Sequence, residues 1–226
     1  MRSTWRTLDP GLLRDALAIA ASAAVSGASF GAITVASGSP WWMPVLMSVV
    51  IFAGGSQFMA IGIVAAGGSP AAAVLAGLVL NIRHLPFGLA IGDLLGRSLP
   101  GKLLGSHLLT DETVAFALAQ RDPVRGRIAY WVCGVGLFVA WNAGVIGGVL
   151  VGQSIGDPAA FGLDAAFPAA LLALVLPALR DSAALRAALL GAVIALVTTP
   201  FVPAGVPILL ALAGLLAVRL PVPVRR

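Results

Sequence analysis

Residues 70–95 read PAAAVLAGLVLNIRHLPFGLAIGDLL, an apolar stretch that carries Asn81, Arg83 and His84 near its middle. A helix needs about 20 mostly apolar residues to cross the hydrocarbon core of a bilayer, so this stretch predicts a membrane-spanning helix. An arginine at the bilayer centre costs at least about 2.5–3.5 kcal/mol on insertion scales. We therefore expect Arg83 to face a cavity or a partner rather than lipid.

The rest of the chain has the same apolar character. Of its 226 residues, 59% are hydrophobic and 10% are charged, and the mean hydropathy is +1.01, whereas about 25% of the residues of a soluble domain are charged. The net charge of +5 lies in short clusters between apolar stretches, which argues against a nucleic-acid-binding face. Seven stretches are candidate crossings: Ala16–Ser37, Met43–Ala66, Pro70–Leu95, Ile128–Gly152, Leu163–Leu179, Ala183–Thr199 and Val206–Val218.

This pattern predicts an all-α fold, a polytopic transmembrane helical bundle that forms one domain over residues 1–226. Broken helices and an inverted repeat are both compatible with it, although no repeat is visible in the sequence. The arginines that precede the first stretch resemble the start of a signal peptide. That stretch is too long for a signal core, so we interpret it as the first crossing.

An eighth segment, Leu103–Gln120, is apolar but is interrupted by polar and charged residues. If it crosses, the chain starts in the cytoplasm and only Arg97 and Lys102 lie outside. If it does not, seven crossings with an outside start leave the three N-terminal arginines outside. We favour eight, because the first helix usually dominates orientation and three arginines precede it. Both topologies place the C-terminus in the cytoplasm.

Asn81, Arg83 and His84 form the first candidate site. Asn81 and His84 are three residues apart and share a helical face. Pro86 cannot donate a backbone hydrogen bond, so it frees the carbonyl of Ile82 and favours a break in the helix there. The alternative is a buried arginine that only holds two helices together.

The second candidate site is the adjacent carboxylates of Asp111 and Glu112. Neighbouring residues on a helix point about 100° apart, so one carboxylate can pair with Arg83 or His84 while the other faces water. A carboxylate in a low dielectric is a candidate proton carrier. The alternative is a loop in which Thr110 caps the following helix and the acids occupy its first turn.

The third candidate site is a glycine pair with two polar neighbours in the second apolar stretch: Gly54, Gly55, Ser56 and Gln57. Adjacent glycines weaken a helix, and an exposed backbone is tolerated in a membrane only where it lines a cavity or is covered by protein. Transporters present the ends of such broken helices to charged substrates. Close helix packing through small residues is the alternative.

Other small residues predict packing rather than a site. Gly27 with Gly31, and Gly144 with Gly148, have the four-residue spacing of close helix contacts. The only cysteine, Cys133, lies in an apolar run and is interpreted as a packing residue. The sequence also contains no zinc-protease, serine-hydrolase or nucleotide-binding motif, and its two histidines are too few for a histidine-rich metal site. We therefore predict a protein that is not an enzyme and has no cofactor; an intramembrane enzyme and a non-transporting scaffold are the alternatives.

Taken together, five motifs resemble the AzlC family of branched-chain amino acid permeases, also called the LIV-E or YgaZ type. The resemblance covers about residues 13–216 and rests on Ser29–Gly31, Phe52–Phe58, Asn81–His84, Thr110–Glu112 and Gly162–Pro168. It implies a multi-pass exporter of branched-chain amino acids in the bacterial inner membrane. It also implies a separate partner, a small hydrophobic AzlD-type subunit.

Such a substrate is a zwitterion with an aliphatic side chain, so it needs donors, acceptors and an apolar pocket. Arg83, or the backbone N–H groups of residues 54–57, are the candidates for binding its carboxylate. Asp111, Glu112 and the Gln57 oxygen are the candidates for its ammonium. Without a nucleotide site, the energy must come from an ion gradient, most simply of protons through His84, Asp111 or Glu112.

Overall fold

The computed structural model describes residues 10–154, 172, 176, 178–203 and 205–219. Within these residues the secondary structure is helical, as predicted, and no strand occurs. The α-helices are α1 (Pro10–Ala36), α2 (Trp42–Val50), α3 (Gly54–Ala65), α4 (Pro70–Asn81), α5 (His84–Ile91), α6 (Leu99–His107), α7 (Asp111–Leu118), α8 (Pro123–Ser154), α9 (Ser182–Thr198) and α10 (Val206–Leu210). Short 3-10 helices cover Gly92–Leu95, Ala178–Arg180 and Ala211–Arg219.

Three stretches of the described chain are helical, long and apolar enough to cross a membrane: Pro10–Ala36, Pro70–Leu95 and Pro123–Ser154. Shorter apolar helices cover Gly54–Ala65, Ser182–Thr198 and Val206–Leu216. The all-α membrane fold is therefore confirmed. Most of the predicted crossing Leu163–Leu179 lies outside the described residues.

The described residues form two compact units. The first contains residues 10–57 and 81–154, and the second contains residues 58–80 together with those from 172 onward. In the second unit, Ile63 packs with Ala72, Ala73 and Ala76. A side chain on Gly191 would stand 2.8 Å from the carbonyl oxygen of Ala211, so small residues also allow close packing there. All three candidate sites belong to the first unit.

Helix α1 lies along α8 in the first unit, and glycines bring the two backbones together. A Cβ on Gly27 or Gly31 would overlap the backbone of α8, and a Cβ on Gly144 or Gly148 would overlap that of α1. The predicted packing role of these glycines is confirmed. The contacts advance together along both helices, so α1 and α8 run parallel: Ala24 faces Gly144, Ala28 faces Gly148 and Ala32 faces Gly152.

Helices α6 and α7 do not form the predicted eighth crossing. Tyr130, near the start of α8, donates a hydrogen bond of 2.6 Å to the carbonyl of Gly105. One turn further along α8, a side chain on Gly134 would stand 3.2 Å from Leu108 Cβ. Helix α6 therefore advances in the direction of α8 as far as residue 108.

After residue 108 the chain turns back towards the start of α8. Thr113 Cγ2 stands 3.6 Å from where a Cβ on Gly134 would be, and the Ala117 carbonyl oxygen stands 3.1 Å from the corresponding position on Gly126. Leu103–Gln120 is therefore a hairpin of two helices with both ends beside the start of α8. Helices of 9 and 8 residues span only about 12–14 Å each, at 1.5 Å per residue, which is too short to cross. Hydropathy alone could not separate a crossing from a hairpin of the same length.

The hairpin and the parallel α1 place several basic residues at one end of the first unit. Leu94 approaches Gly126 in α8, so the chain before the hairpin is at this end too. The basic residues at this end are Arg14, Arg97, Lys102, Arg121, Arg125 and Arg127. By the positive-inside rule this end is expected to be cytoplasmic.

Candidate functional site

Three interruptions of the helical chain meet around one cavity in the first unit. The α-helical hydrogen-bond pattern is interrupted between α2 and α3, between α4 and α5, and between α6 and α7. Residues from all three breaks line a cavity of about 250 Å³: Ile51, Phe52, Ala53, Asn81, His84, Ser106, His107 and Leu109. The predicted broken helices are thus present, and each break supplies a helix end to the same space.

The break between α2 and α3 contains Phe52, whose φ of +43° is rare for a bulky side chain. Backbone strain of this kind costs on the order of 1–3 kcal/mol and persists only where the surrounding structure holds it. The Phe52 ring is buried and packs edge-on against Phe138, with ring centroids 5.0 Å apart. The His107 ring lies 6.1 Å from Phe52 and 5.7 Å from Phe138, so the three rings form an aromatic cluster beside the cavity.

Helix α3 begins directly after this break, at Gly54, as the glycine pair suggested. A Cβ on Gly54 would stand 2.9 Å from the indole of Trp141, so a larger residue would collide with α8. Gln57 is fully buried, and its Oε1 accepts a 3.2 Å hydrogen bond from the Ala53 N–H. One lone pair of that oxygen is therefore already used, and a substrate ammonium would have to bind the other. Ser56 Oγ donates to the Ala53 carbonyl at 2.9 Å.

The break between α4 and α5 lies at Ile82 and Arg83, just ahead of Pro86. The Ile82 carbonyl, which Pro86 cannot bond, accepts a hydrogen bond from Leu85 N–H at 3.0 Å. Asn81 ends α4 and His84 begins α5, and both line the cavity. His84 Nδ1 lies 3.1 Å from the Asn81 carbonyl oxygen. The expected helix break beside the polar residues is therefore present.

Arg83 forms an ion pair with Asp111: Nη1 lies 2.8 Å from Oδ2. About 40% of each side chain is exposed (39% and 44%). Arg83 Nε and Asp111 Oδ1 are buried and have no hydrogen-bond partner among the described residues. Glu112 is exposed. The pair therefore joins the tip of the hairpin to the start of α5 and leaves Glu112 outside it.

The ion pair with Arg83 and the helix cap at Thr110, which the sequence offered as alternatives, are both present. Thr110 Oγ1 accepts from the Thr113 N–H, and Thr113 Oγ1 accepts from the Thr110 N–H, so the two residues form a capping box at the start of α7. Asp111 and Glu112 lie in the first turn, where negative charge is favourable. Asp111 nonetheless also reaches Arg83.

The residues that line the cavity overlap only in part with the site residues that the sequence predicted. Asn81 and His84 line it, whereas Arg83, Asp111 and the residues from Gly54 to Gln57 adjoin the breaks without being among its lining residues. Phe52, Ser106 and His107 were missed. The signal for His107 was its position as a polar residue in an apolar segment, but nothing in the sequence paired it with the other two breaks.

The family model for the AzlC protein matches residues 18–155, which include all three breaks. The chain belongs to the AzlC family. It is also 30% identical over 197 residues to the inner membrane protein YgaZ of Escherichia coli K12, an alignment that covers 79% of this chain and 77% of that protein. No solved structure matches it. The protein is thus a membrane protein related to transport.

Proposed function

We propose that this AzlC-family chain is the large subunit of an exporter of branched-chain amino acids in the bacterial inner membrane. An ion gradient, most simply of protons, drives it, and a small AzlD-type membrane subunit works with it. The observation that carries the proposal is the meeting of three broken helices at one cavity. Broken helices in a membrane are tolerated where they line such a space, and transporters place substrate sites there.

The size and lining of the cavity suit an amino acid with an aliphatic side chain. Its volume of about 250 Å³ is below the roughly 300–1,000 Å³ of pockets for drug-sized ligands. Ile51, Phe52 and Leu109 offer an apolar wall, while Asn81, Ser106 and the histidines offer hydrogen bonds. No Asp, Glu, Lys or Arg side chain is among its lining residues, so a substrate without net charge fits it better than an ion.

Two features can bind the carboxylate. The first is the start of α3, where the N–H groups of Gly54, Gly55 and Ser56 lack partners in a preceding turn and carry the positive end of the helix dipole. The second is Arg83, which meets Asp111 through one nitrogen only and keeps a buried, unpartnered Nε. A substrate carboxylate can accept a hydrogen bond from Nε while Nη1 keeps its contact with Asp111.

The small subunit needs a surface other than the glycine face of α8. Gly144 and Gly148 face α1 of the same chain, so they are already in use. For the orientation we expect the C-terminal arginines, Arg219, Arg225 and Arg226, in the cytoplasm. A reporter fused after Arg226 should be active in the cytoplasm; activity only in the periplasm would contradict this topology.

Export is tested by loading cells with labelled amino acids and measuring their efflux, with and without the gene for the small subunit. We expect rapid efflux of leucine, isoleucine and valine that requires the partner gene and stops when a protonophore collapses the gradient. Lysine and glutamate serve as charged comparisons. The function is refuted if none of these amino acids leaves cells that contain the chain faster than it leaves cells that lack it. Substrate turnover in detergent without a gradient would favour an enzyme instead.

A pair of matched variants connects the efflux to the cavity. Both serines are exposed. Ser106→Leu adds bulk to a residue that lines the cavity, whereas Ser22→Leu makes the same change on α1, away from the lining residues. We expect the first to abolish efflux and the second to leave it unchanged at equal membrane abundance. Equal efflux by both variants would place the substrate path elsewhere.

A further inference from the structure

His84 has a fixed tautomer, because its Nδ1 has only one possible role. The partner of Nδ1, at 3.1 Å, is the Asn81 carbonyl oxygen, which can only accept a hydrogen bond. Nδ1 therefore carries a proton and donates it. In the neutral ring Nε2 is then the acceptor. A cavity-lining imidazole is thus held with one lone pair available.

Asn81 provides a second acceptor at the same place. Its Oδ1 is buried and has no hydrogen-bond partner among the described residues, and Asn81 also lines the cavity. An unbonded buried acceptor costs about 1–3 kcal/mol, so a donor supplied by a ligand would remove that cost. Asn81 stands at the C-terminal end of α4, where the helix dipole favours positive charge. Together Asn81 and His84 make a site suited to an ammonium group.

The charged and titratable groups around His84 leave it as the acceptor at this site. Arg83, its neighbour in sequence, is paired with Asp111 of α7, and Glu112 of α7 is exposed. His107 of α6 lines the same cavity and contacts Phe52 and Phe138 through its ring. Asp111 meets the arginine through Oδ2 and is not among the lining residues of the cavity, whereas Asn81 and His84 are.

We propose that Asn81 Oδ1 and His84 Nε2 form the ammonium subsite of the substrate, and that the coupling proton competes with the substrate for His84 Nε2. The inference rests on the proposed export function. When Nε2 is neutral it accepts a hydrogen bond from the substrate ammonium. When Nε2 takes up a proton, the imidazolium repels that ammonium and the substrate leaves. Exclusive binding of either a proton or a substrate at one site is the condition for exchange of the two across the membrane.

The first test uses the full-length wild-type chain, purified together with the small subunit if the efflux assay requires it. Binding of L-leucine, of 3-methylbutylamine (which lacks the carboxylate) and of 4-methylpentanoate (which lacks the ammonium) is measured between pH 5 and pH 8. Competition with one proton weakens binding by about tenfold per pH unit on the acid side. We expect this slope for leucine and for the amine, and none for 4-methylpentanoate. Leucine binding with no slope, or the slope in 4-methylpentanoate alone, would overturn the proposal.

The second test separates the two histidines of the cavity. His84→Asn keeps a donor near the position of Nδ1 and removes Nε2, so the break between α4 and α5 is retained; His107→Asn is the matched control. We expect leucine binding to lose its pH slope in His84→Asn and to keep it in His107→Asn, whatever the affinity of each variant. A wild-type slope in His84→Asn, or loss of the slope only in His107→Asn, would refute the assignment to His84.

The failure of this inference differs from a failure of the proposed function. If wild-type cells export leucine under a proton gradient while His84→Asn keeps the wild-type pH slope, the protein is an exporter and the coupling site lies elsewhere. If wild-type cells export no amino acid and the purified chain binds none of the three compounds, the function itself is wrong. Membrane abundance, measured for each variant, separates both cases from a chain that fails to insert.

Discussion

Removing the charge of Arg83 distinguishes a substrate ligand from a structural ion pair. The informative set is Arg83→Gln, Arg83→Lys, Asp111→Asn and the double variant Arg83→Gln with Asp111→Asn. We expect Arg83→Gln and Arg83→Lys to lose export per molecule. Lysine keeps the charge but lacks the planar fork that binds a carboxylate through two hydrogen bonds. The double variant is expected to regain abundance but not export.

The structure sets the magnitude of each effect. The ion pair has a single contact of 2.8 Å between side chains that are 39% and 44% exposed, and pairs of this kind contribute about 0.2–1 kcal/mol. Its loss therefore lowers the folded population by no more than about fivefold. Hydrogen bonds to charged groups contribute about 1.5–3 kcal/mol. Loss of a carboxylate ligand should therefore reduce export by about tenfold or more.

The assay measures leucine efflux from loaded cells and divides it by the amount of chain in the membrane. The division is necessary because a drop in abundance alone lowers efflux. Export by Arg83→Gln that equals the wild type per molecule would end the functional role of Arg83. Recovery of export in the double variant would show instead that the arginine only balances Asp111.

Three further predictions concern the fold. Single cysteines placed at Lys102 and at Arg121 should both react with a membrane-impermeant thiol reagent from the cytoplasmic side, because the hairpin returns to its starting end. Gly148→Ala should destabilise the chain by about 1–3 kcal/mol because its Cβ would overlap α1, while Gly147→Ala, which has open space, should be neutral or slightly stabilising. Phe52→Gly should be more stable than Phe52→Ala by about 1 kcal/mol, because only glycine adopts the positive φ without strain.

Each of these has a direct readout. Labelling of the two cysteines from opposite sides would show that Leu103–Gln120 crosses the membrane; the native Cys133 is 1% exposed and gives a low background. Thermal unfolding in detergent ranks the glycine and phenylalanine variants. Equal stability of the two glycine variants would contradict the α1–α8 contact. If Phe52→Ala is the more stable of its pair, the backbone at Phe52 is not strained.

The candidate site was only partly predictable from local pattern. The break at Ile82 and Arg83 could be anticipated because Pro86 removes a backbone donor, and the break before Gly54 because adjacent glycines weaken a helix. The helix cap at Thr110 could also be predicted, since a threonine before two acidic residues is typical of a helix start. His107 and Phe52 could not be assigned, because their importance depends on rings and helix ends that lie far apart in the sequence.

The sequence alone determined that this protein is a helical membrane protein, since its long apolar runs and few charges leave the bilayer as its only suitable solvent. Its resemblance to a family of permeases came separately, from five short motifs. The sequence also identified the polar and charged residues whose burial in a membrane is costly unless they face a cavity or a partner. Only the tertiary structure decided that Leu103–Gln120 turns back, that Asp111 rather than Glu112 meets Arg83, and that three breaks share one cavity. Hydropathy measures whether a segment prefers lipid, but it carries no information about direction or about which segments meet, because those depend on contacts between distant residues.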